Sequence, residues 1–359
     1  MKIPAVSILI ILLCTSVTLG QQQGVSVVVV TPLGQTQSFD QYQTIVATFN
    51  QPMVALAEVP QDEGTGPMIV EPAVAGKFRW MGTSTLTFIP SKRLPYGTQF
   101  TVRIPAGTKS VSGQTLQDEY TWEFQTVRPA VISTNPYGNQ QFVELDHGIL
   151  LRFNQKVDPA VVGKYISLEE HGAGAVAYPP FTTQIAPAGA QFGDNSILLT
   201  PAHPFKRGTS YTVRCNHGLP GVEGPLGMIS DFVFSFTTYG ELKFVRVYNV
   251  DGFNPAQNLE LIFTNPVSPK DLIAHLTFIP PLVIEPDEYY EEYTTEQPSL
   301  RLPLKAEQEY AGILTPGLSD RFNNTITDTV RFRFRTGSYP PRVGMTTGQG
   351  VLEAYEAHR

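Results

Sequence analysis

The stretch Val330-Arg331-Phe332-Arg333-Phe334-Arg335-Thr336 alternates apolar and charged residues without a break. Successive side chains of an extended strand point to opposite faces, so this alternation predicts a β-strand with one buried and one solvated face. We expect Phe332 and Phe334 to enter a core and the three arginines to lie in water.

Two earlier segments repeat this strand and also end in Phe-x-Thr, and we call all three of them closing strands. They are Tyr120-Thr121-Trp122-Glu123-Phe124-Gln125-Thr126 and Phe232-Val233-Phe234-Ser235-Phe236-Thr237-Thr238. A repeat with a period near 100 residues is typical of tandem domains, since each copy folds as one structural unit.

Two further landmarks recur in the same order. The first is a strand end followed by a polar turn, and its copies are Phe49-Asn50-Gln51-Pro52-Met53, Phe153-Asn154-Gln155-Lys156-Val157 and Phe263-Thr264-Asn265-Pro266-Val267. The second is an aromatic residue, Phe100, Tyr211 or Tyr310, which lies 24, 25 or 24 residues before the closing phenylalanine. Three landmarks in a fixed order predict three copies of one unit.

The 30 prolines and 30 glycines suit many short strands joined by turns. The only helical candidates are short, at 159–165 and 269–275. We therefore predict an all-β chain with three tandem immunoglobulin-like β-sandwich domains after a signal peptide. The predicted boundaries are 1–20 for the signal peptide, 21–127, 128–238 and 239–336 for the three Ig-like domains, and 337–359 for a tail or the start of a further β domain.

The N-terminus predicts export. Lys2 precedes a short apolar run, Val6–Leu13, and Thr18 and Gly20 supply the small residues of a cleavage site. We expect cleavage after Gly20. Two alternatives are a retained anchor and a lipoprotein that uses Cys14.

Charge and cysteine content narrow the function classes. The net charge is −7 and no basic run occurs, which argues against a nucleic-acid partner. Besides Cys14 the chain has only Cys215, so the mature protein has no internal disulfide. Cys215 shares the phase of Tyr211 and Val213 and should face the core. The alternative is a thiol activated by its basic neighbours.

No motif of a known catalytic, phosphate-binding or metal-binding site occurs, and the histidines are scattered, at His147, His171, His203, His217, His275 and His358. We predict no catalytic, cofactor-binding or metal site, no cofactor and no small-molecule substrate. The acidic, tyrosine-rich segment 285–296 is either a solvated loop or charged edge strand, or a site for Ca²⁺ or a basic partner. Asn323-Asn324-Thr325 matches a glycosylation sequon.

The pattern resembles the SbsA-type bacterial Ig-like domains of surface-layer proteins. The resemblance rests on Phe49–Met53, on Leu94-Pro95-Tyr96-Gly97-Thr98 with Phe100, and on Phe124-Gln125-Thr126. Together with the signal peptide and the tail, the chain is also similar to the N-terminal region of bacterial alpha-2-macroglobulin family proteins, which are periplasmic protease traps. The thioester motif of that family, Cys-x-Glu-Gln, is absent, because Cys215 precedes Asn-His-Gly.

These observations predict non-catalytic structural or interaction modules of an exported envelope protein. The resemblance implies the N-terminal part of an alpha-2-macroglobulin-like protease inhibitor, in the periplasm or on the cell surface of a bacterium. The expected partners are another protein or downstream domains of a longer polypeptide. The alternative is an adhesin or surface-layer module that binds a cell-wall or extracellular partner.

Overall fold

The computed structural model describes residues 24–56, 66–172, 174–187, 189, 195–248, 251–255, 258–284 and 293–338. The predicted signal peptide with Cys14, most of the acidic segment 285–296, almost all of the tail and His358 lie outside the described residues. The fold divides into two compact units, which are described separately. The first comprises Met1–Ala130, Phe153–Asp158 and His217–Ser230, and the second comprises Val131–Arg152, Pro159–Asn216 and Asp231–Arg359.

The first unit contains eight named strands and a 3-10 turn, Phe39–Tyr42. The strands are β1 Val27–Thr31, β2 Gly34–Gln35, β3 Ile45–Phe49, β4 Ile69–Glu71, β5 Gly76–Met81, β6 Thr85–Pro90, β7 Gln99–Ile104 and β8 Tyr120–Gln125. They form two four-stranded sheets, with the orders β1-β3-β6-β5 and β2-β8-β7-β4.

The remaining strands belong to the second unit, except that the last residue of β11 falls in the first. They are β9 Val131–Asn135, β10 Gln140–Val143, β11 Ile149–Phe153, β12 Ile166–His171, β13 Phe181–Ile185, β14 Ser196–Pro201, β15 Ser210–Cys215, β16 Phe232–Thr238, β17 Phe244–Val247, β18 Asp251–Phe253, β19 Leu259–Phe263, β20 Leu276–Ile279, β21 Ser299–Leu300, β22 Glu309–Leu314 and β23 Val330–Thr336. The helices are α1 Pro159–Val162 and α2 Pro269–His275, close to the two short helical segments predicted from the sequence.

One strand topology occurs three times along the chain. The first sheet of each copy has the order β1-β3-β6-β5, β9-β11-β14-β13 or β17-β19-β21, and the second has the order β2-β8-β7-β4, β10-β16-β15-β12 or β18-β23-β22-β20. In each second sheet the closing strand pairs antiparallel with the strand before it and parallel with a short strand from the start of the copy. The predicted all-β, Ig-like architecture is confirmed.

Alternation on the closing strands divides core from solvent as predicted. In β23 Phe334 is 3% exposed and Phe332 is partly buried against the core, whereas the three arginines are exposed. Residues from both sheets form one apolar cluster in the first copy and another in the third, since each sheet buries one face. Neither α1 nor α2 has the length and apolar character of a membrane-spanning helix, and no other described helix has them.

Candidate functional site at the linkers

The polar residue at the first landmark binds the backbone at the start of its own copy. Asn154 donates from Nδ2 to the carbonyl of Arg128 (2.9 Å), accepts at Oδ1 from the N–H of Ala130 (3.0 Å), and donates its own N–H to the carbonyl of Ala130 (3.0 Å). The same three bonds join Asn50 to Gly24 and Ser26, and Thr264 to Glu241 and Lys243. We call each arrangement a linker clamp.

The next residue of the landmark binds the linker one step closer to the preceding closing strand. Gln155 donates to the carbonyl of Val127 (3.1 Å). Asn265 is fully buried and binds both peptide groups of Gly240, accepting from its N–H (3.2 Å) and donating to its carbonyl (2.8 Å). Short polar side chains at a strand end therefore hydrogen-bond to peptide groups of the linker.

In the second unit the buried carboxylate of Asp320 binds Asn265, the residue that binds Gly240. Asp320 is 5% exposed; its Oδ1 accepts from the N–H groups of Phe322 and Asn324 (2.8 Å each), and its Oδ2 accepts from Asn265 Nδ2 (2.6 Å). These bonds fix the turn so that the Phe322 ring stacks on Tyr239, with 4.1 Å between centroids and 8° between planes. The turn before the closing strand thus packs directly on the linker.

In the first unit the loop His217–Ser230 packs on the turn that contains Arg93 and Gly97. Arg93 Nη2 donates to both carboxylate oxygens of Glu223 (2.7 and 2.8 Å), and the N–H of Tyr96 donates to Glu223 Oε2 (3.0 Å). The N–H of Leu226 donates to the carbonyl of Gly97 (2.7 Å). Two residues in the middle of the loop, Glu223 and Leu226, are therefore bound to one turn.

The electrostatics of this contact favour the charged forms of both partners. The hydrogen bond from Arg93 lowers the pKa of the Glu223 carboxyl, and the same bond raises the pKa of Arg93. The Arg93 guanidinium also lies 3.9 Å from the centroid of the Tyr96 ring, a cation–π distance. Because the two charged side chains are 34% and 36% exposed, solvent screens the pair and its contribution to stability is at most about 1 kcal/mol.

A second repeated contact joins the last residue of the closing-strand segment to the turn just before the second-landmark aromatic. Thr238, which is 2% exposed, accepts at its hydroxyl from the N–H of Thr209 (3.0 Å) and donates to the carbonyl of Lys206. Equivalent bonds join Thr126 to Thr98 and Pro95, and Thr336 to Gln308 and Lys305. The buried threonine of Phe-x-Thr is therefore a fixed part of the fold.

The turn residue three positions before the second-landmark aromatic also has the same geometry each time. Gly97, Gly208 and Glu307 have φ angles of 59°, 58° and 55°. Each donates its N–H to the residue directly after the closing threonine, and the acceptors are the carbonyls of Val127, Tyr239 and Gly337. The third turn differs in length, as the sequence indicated, but it reaches this conformation with a glutamate instead of a glycine.

An ionisable cluster includes the buried hydroxyl of Tyr211. This hydroxyl donates to Glu170 Oε2 (2.9 Å) and accepts from the N–H of Lys206 (2.9 Å), while Lys206 Nζ donates to Glu170 Oε1 (2.6 Å). The Lys206 hydrogen bond lowers the pKa of Glu170, and burial raises that of Tyr211 to about 12. Tyr211 is 1% exposed and Glu170 is 9% exposed, whereas the side chain of Lys206 is 71% exposed.

The chemically reactive candidates lie apart from one another. Cys215 is 1% exposed, as predicted, and burial raises its pKa to about 12, which disfavours the thiolate. His147, His171 and His275 each contact a different polar residue, at Asn135, Thr212 and Thr315. Within the described ranges no three His, Cys, Asp or Glu side chains meet in a group that could hold a metal ion.

An open cavity of about 700 Å³ lies beside the linker clamp that Thr264 forms with Glu241 and Lys243. Its lining includes Arg207, Glu241, Lys243, Asn323 and Thr325. The first and last residues of the sequon are exposed there, while Asn324 donates to Asp320 Oδ2 (2.8 Å). The cavity is open, and an ion pair among these lining residues, Lys243 Nζ to Glu241 Oε2 (2.8 Å), is well exposed.

The sequence showed the landmarks but not what their polar residues do. The Asn or Thr after the apolar strand end was available as a signal, because such side chains commonly bind nearby backbone. Its acceptors, however, lie 21 to 26 residues earlier in the chain. Sequence reasoning therefore found the positions and missed the linker clamps.

Comparison with known proteins places this architecture in a family. The family described as bacterial Ig-like domain matches residues 21–126 and 125–238. These matches cover more than half of the chain, so the protein belongs to the bacterial Ig-like domain family, and the predicted resemblance is confirmed.

Curated and solved relatives are more distant. Circularly permutated Ras protein 2 of Dictyostelium discoideum is 28% identical over 156 residues, which are 40% of this chain but only 4% of that protein. Solved structures include alpha-2-macroglobulin from Escherichia coli spanning domains MG0-NIE-MG1, with 11% identity, a TM-score of 0.23, and 87% of this chain and 97% of that chain covered. The N-terminal part of the bacterial S-layer protein SbsC has 13% identity, a TM-score of 0.23, and coverage of 59% and 45%. Similarities this low carry no argument about function.

Proposed function

We propose that the chain is a non-catalytic structural part of an exported protein, in which three Ig-like domains, 21–127, 128–238 and 239–336, serve as a spacer. The observation that carries the proposal is the linker clamp. Linkers bound through both side chains and backbone resist independent movement of their flanking segments, which a spacer requires and a flexible tether does not.

The spacer role predicts that breaking a clamp loosens the chain without unfolding it. Asn265→Ala removes both side-chain bonds to Gly240. The control, Asn258→Ala, makes the same substitution at an exposed position and removes none of the described linker bonds. Small-angle scattering of residues 21–359 should show a larger radius of gyration for Asn265→Ala alone. An unchanged scattering curve for Asn265→Ala, with normal circular dichroism, would refute the spacer role.

Export is part of the proposal and rests on Lys2, the apolar run Val6–Leu13 and the small residues before Gln21. Expression of the complete chain in a Gram-negative host should yield periplasmic or surface protein that begins at Gln21. Intact mass spectrometry measures this directly. A retained Met1 or a lipidated Cys14 would contradict it.

We further propose that such a spacer serves a longer protease-inhibitor assembly and does not trap proteases by itself. Covalent trapping needs an activated acyl group, and Cys215 is both outside a Cys-x-Glu-Gln motif and buried. Incubation of residues 21–359 with trypsin should leave no nucleophile-sensitive, high-mass adduct on a denaturing gel. Such an adduct would overturn this assignment.

A further inference from the structure

The outward face of β23 carries a row of three arginines, Arg331, Arg333 and Arg335, which we call the arginine row. All three are exposed, and the side chain of Arg333 is 80% exposed. Alternate residues of a strand are about 6.6 Å apart on one face, so the row presents guanidinium groups at that regular interval. This concentration of positive charge occurs in a chain whose net charge is −7.

The fold itself does not require arginine at these positions. The equivalent outward residues of the other closing strands are neutral or acidic: Thr121, Glu123 and Gln125 in β8, and Val233, Ser235 and Thr237 in β16. Since the three copies share one topology, the arginine row is a property of the third copy alone.

In the first two copies, polar side chains on this face form hydrogen bonds with side chains on the neighbouring strand. Glu123 accepts from Gln99 (2.9 Å) and contacts the Thr101 hydroxyl (3.4 Å). Ser235 shares a hydrogen bond with Thr212 (2.9 Å), and Thr212 also bonds His171 (3.0 Å). Both faces are therefore internally hydrogen-bonded.

The arginine row has different cross-strand partners. Arg331 lies opposite Ile313, and Arg333 lies opposite Ala311, both only partly buried. On the next strand Ile279, the partner of Ala311, is 59% exposed. The face therefore combines the arginine row with an apolar row beside it, which consists of Ile313, Ala311 and Ile279.

Few carboxylates offset the row in the described part of the face. Glu309 lies 3.8 Å from Arg333, and both side chains are well exposed, at 66% and 80%, so this pair is weak. Arg335 has Glu309 and Asp251 as its two register partners. In the described part of this face, both carboxylates therefore lie toward the Arg333 and Arg335 end of the row.

We propose that this face of the third copy binds an extended acidic segment of a partner protein, with carboxylates at every second residue. The argument is charge complementarity and spacing: an extended peptide repeats its side chains on one face at about 6.6 Å, the interval of the arginine row. The apolar row beside it excludes water from one flank. The proposal stands independently of the spacer role, since it concerns the partner of one face.

The test uses residues 21–359 and a fluorescein-labelled peptide, Glu-Thr repeated four times, with binding followed by fluorescence anisotropy at low salt. The comparison peptide has the same composition with four Glu followed by four Thr. We expect the alternating peptide to bind at least about threefold more tightly. Raising the salt to about 0.3 M should weaken binding strongly, because exposed charges are screened.

Arg333→Gln should raise the Kd by about threefold, and the combined change of Arg331, Arg333 and Arg335 to Gln should abolish measurable binding. The matched control is Arg214→Gln on β15, an arginine on the corresponding face of the second copy that already lies near Glu169 and Asp231. It should leave binding unchanged. The combined change of the row to Glu should reverse the preference, so that a Lys-Thr peptide binds instead.

Three outcomes would overturn the proposal: no binding by the unaltered chain, equal binding of the two peptides, or equal loss with Arg214→Gln. Binding of a linear sulfated polysaccharide without binding of the peptide would also overturn it, because the partner would then be a glycan. Circular dichroism of every variant confirms that the fold is intact. A failure here leaves the scattering test of the linker clamps untouched.

Discussion

Tyr211 stacks on Phe236, with 5.5 Å between the ring centroids and 19° between the ring planes, and the two residues are register partners on β15 and β16. The same relationship joins Phe100 to Phe124 (5.2 Å, 15°) and Tyr310 to Phe334 (5.4 Å, 18°). The second and third landmarks of the sequence are therefore two halves of one buried aromatic pair. Their near-constant separation of 24 or 25 residues follows from this pairing.

Removing one ring of such a pair should open a cavity. We expect Phe334→Ala to lower the free energy of unfolding of the third copy by about 3–5 kcal/mol, the usual cost of truncating a buried phenylalanine to alanine. Arg333→Ala, one residue away on the solvated face, should cost under about 1 kcal/mol. Hydrogen exchange of amides in β22 and β23 measures both. Equal effects would mean that the two faces of β23 were misassigned.

The buried threonine of each closing strand should contribute through its hydroxyl. Thr238→Val keeps the side-chain shape but leaves the N–H of Thr209 and the carbonyl of Lys206 without this partner, so we expect a loss of about 1–3 kcal/mol. Thr237→Val, at the adjacent half-buried position on the other face, is the control and should cost under about 1 kcal/mol. Urea denaturation of both variants decides the question, and a neutral Thr238→Val would show that the hydroxyl bonds are dispensable.

Glu307 occupies a left-handed conformation, at φ 55°, where the other two copies have glycine. A side chain with a Cβ is strained there, so Glu307→Gly should raise the free energy of unfolding by about 0.5–1 kcal/mol despite losing an exposed bond from Ser338. Glu309→Gly, two residues later inside β22, should instead destabilise by a similar amount. Thermal unfolding of both variants should therefore give shifts of opposite sign. A destabilising Glu307→Gly would contradict the strain argument.

Glu170 should make stability depend on acid pH. Its hydrogen bond from Lys206 holds its pKa below the ordinary value of 4.5, so its contribution is complete above that value and is lost as the pH falls through the lower, folded-state pKa. Glu170→Gln should consequently lose less stability than the parent protein as the pH falls below 4.5. At neutral pH the variant should be less stable than the parent. Denaturation midpoints between about pH 3 and pH 7 measure both effects. Identical acid profiles for variant and parent would rule out this contribution.

Tyr211 should make stability depend on alkaline pH. Burial raises its pKa to about 12 from 10.0, so the stabilisation by its neutral form is complete below pH 10 and is lost as the pH rises toward 12. The two groups touch, and the same Glu170→Gln variant also removes the carboxylate that opposes ionisation of Tyr211. Burial also raises the pKa of Tyr42 to about 12. Spectrophotometric titration should therefore show one of the two most basic tyrosines among the described residues, Tyr211, titrating at a lower pH in that variant, while Tyr42 is unchanged.

The sequence by itself determined the class of fold, because period-two alternation and recurrent landmarks are local properties. Phe334 in the core, Arg333 in water, Cys215 on the buried face and the short helix Pro269–His275 all follow from residue pattern within a few positions. A threefold repeat was equally predictable, because three landmarks recur in a fixed order, but the order of the strands within each sheet was not predicted.

Only the tertiary structure decided how the polar landmark residues act. The sequence marked Asn154 as part of a landmark but did not show its partners, Arg128 and Ala130, which lie more than 20 residues away. The arginine row was visible as alternation, yet its apolar cross-strand partners Ile313 and Ala311 depend on the register between β22 and β23. Hydrophobic alternation within one strand shows which face each residue takes, whereas the residue opposite it depends also on turn geometry and on the packing of the whole sheet.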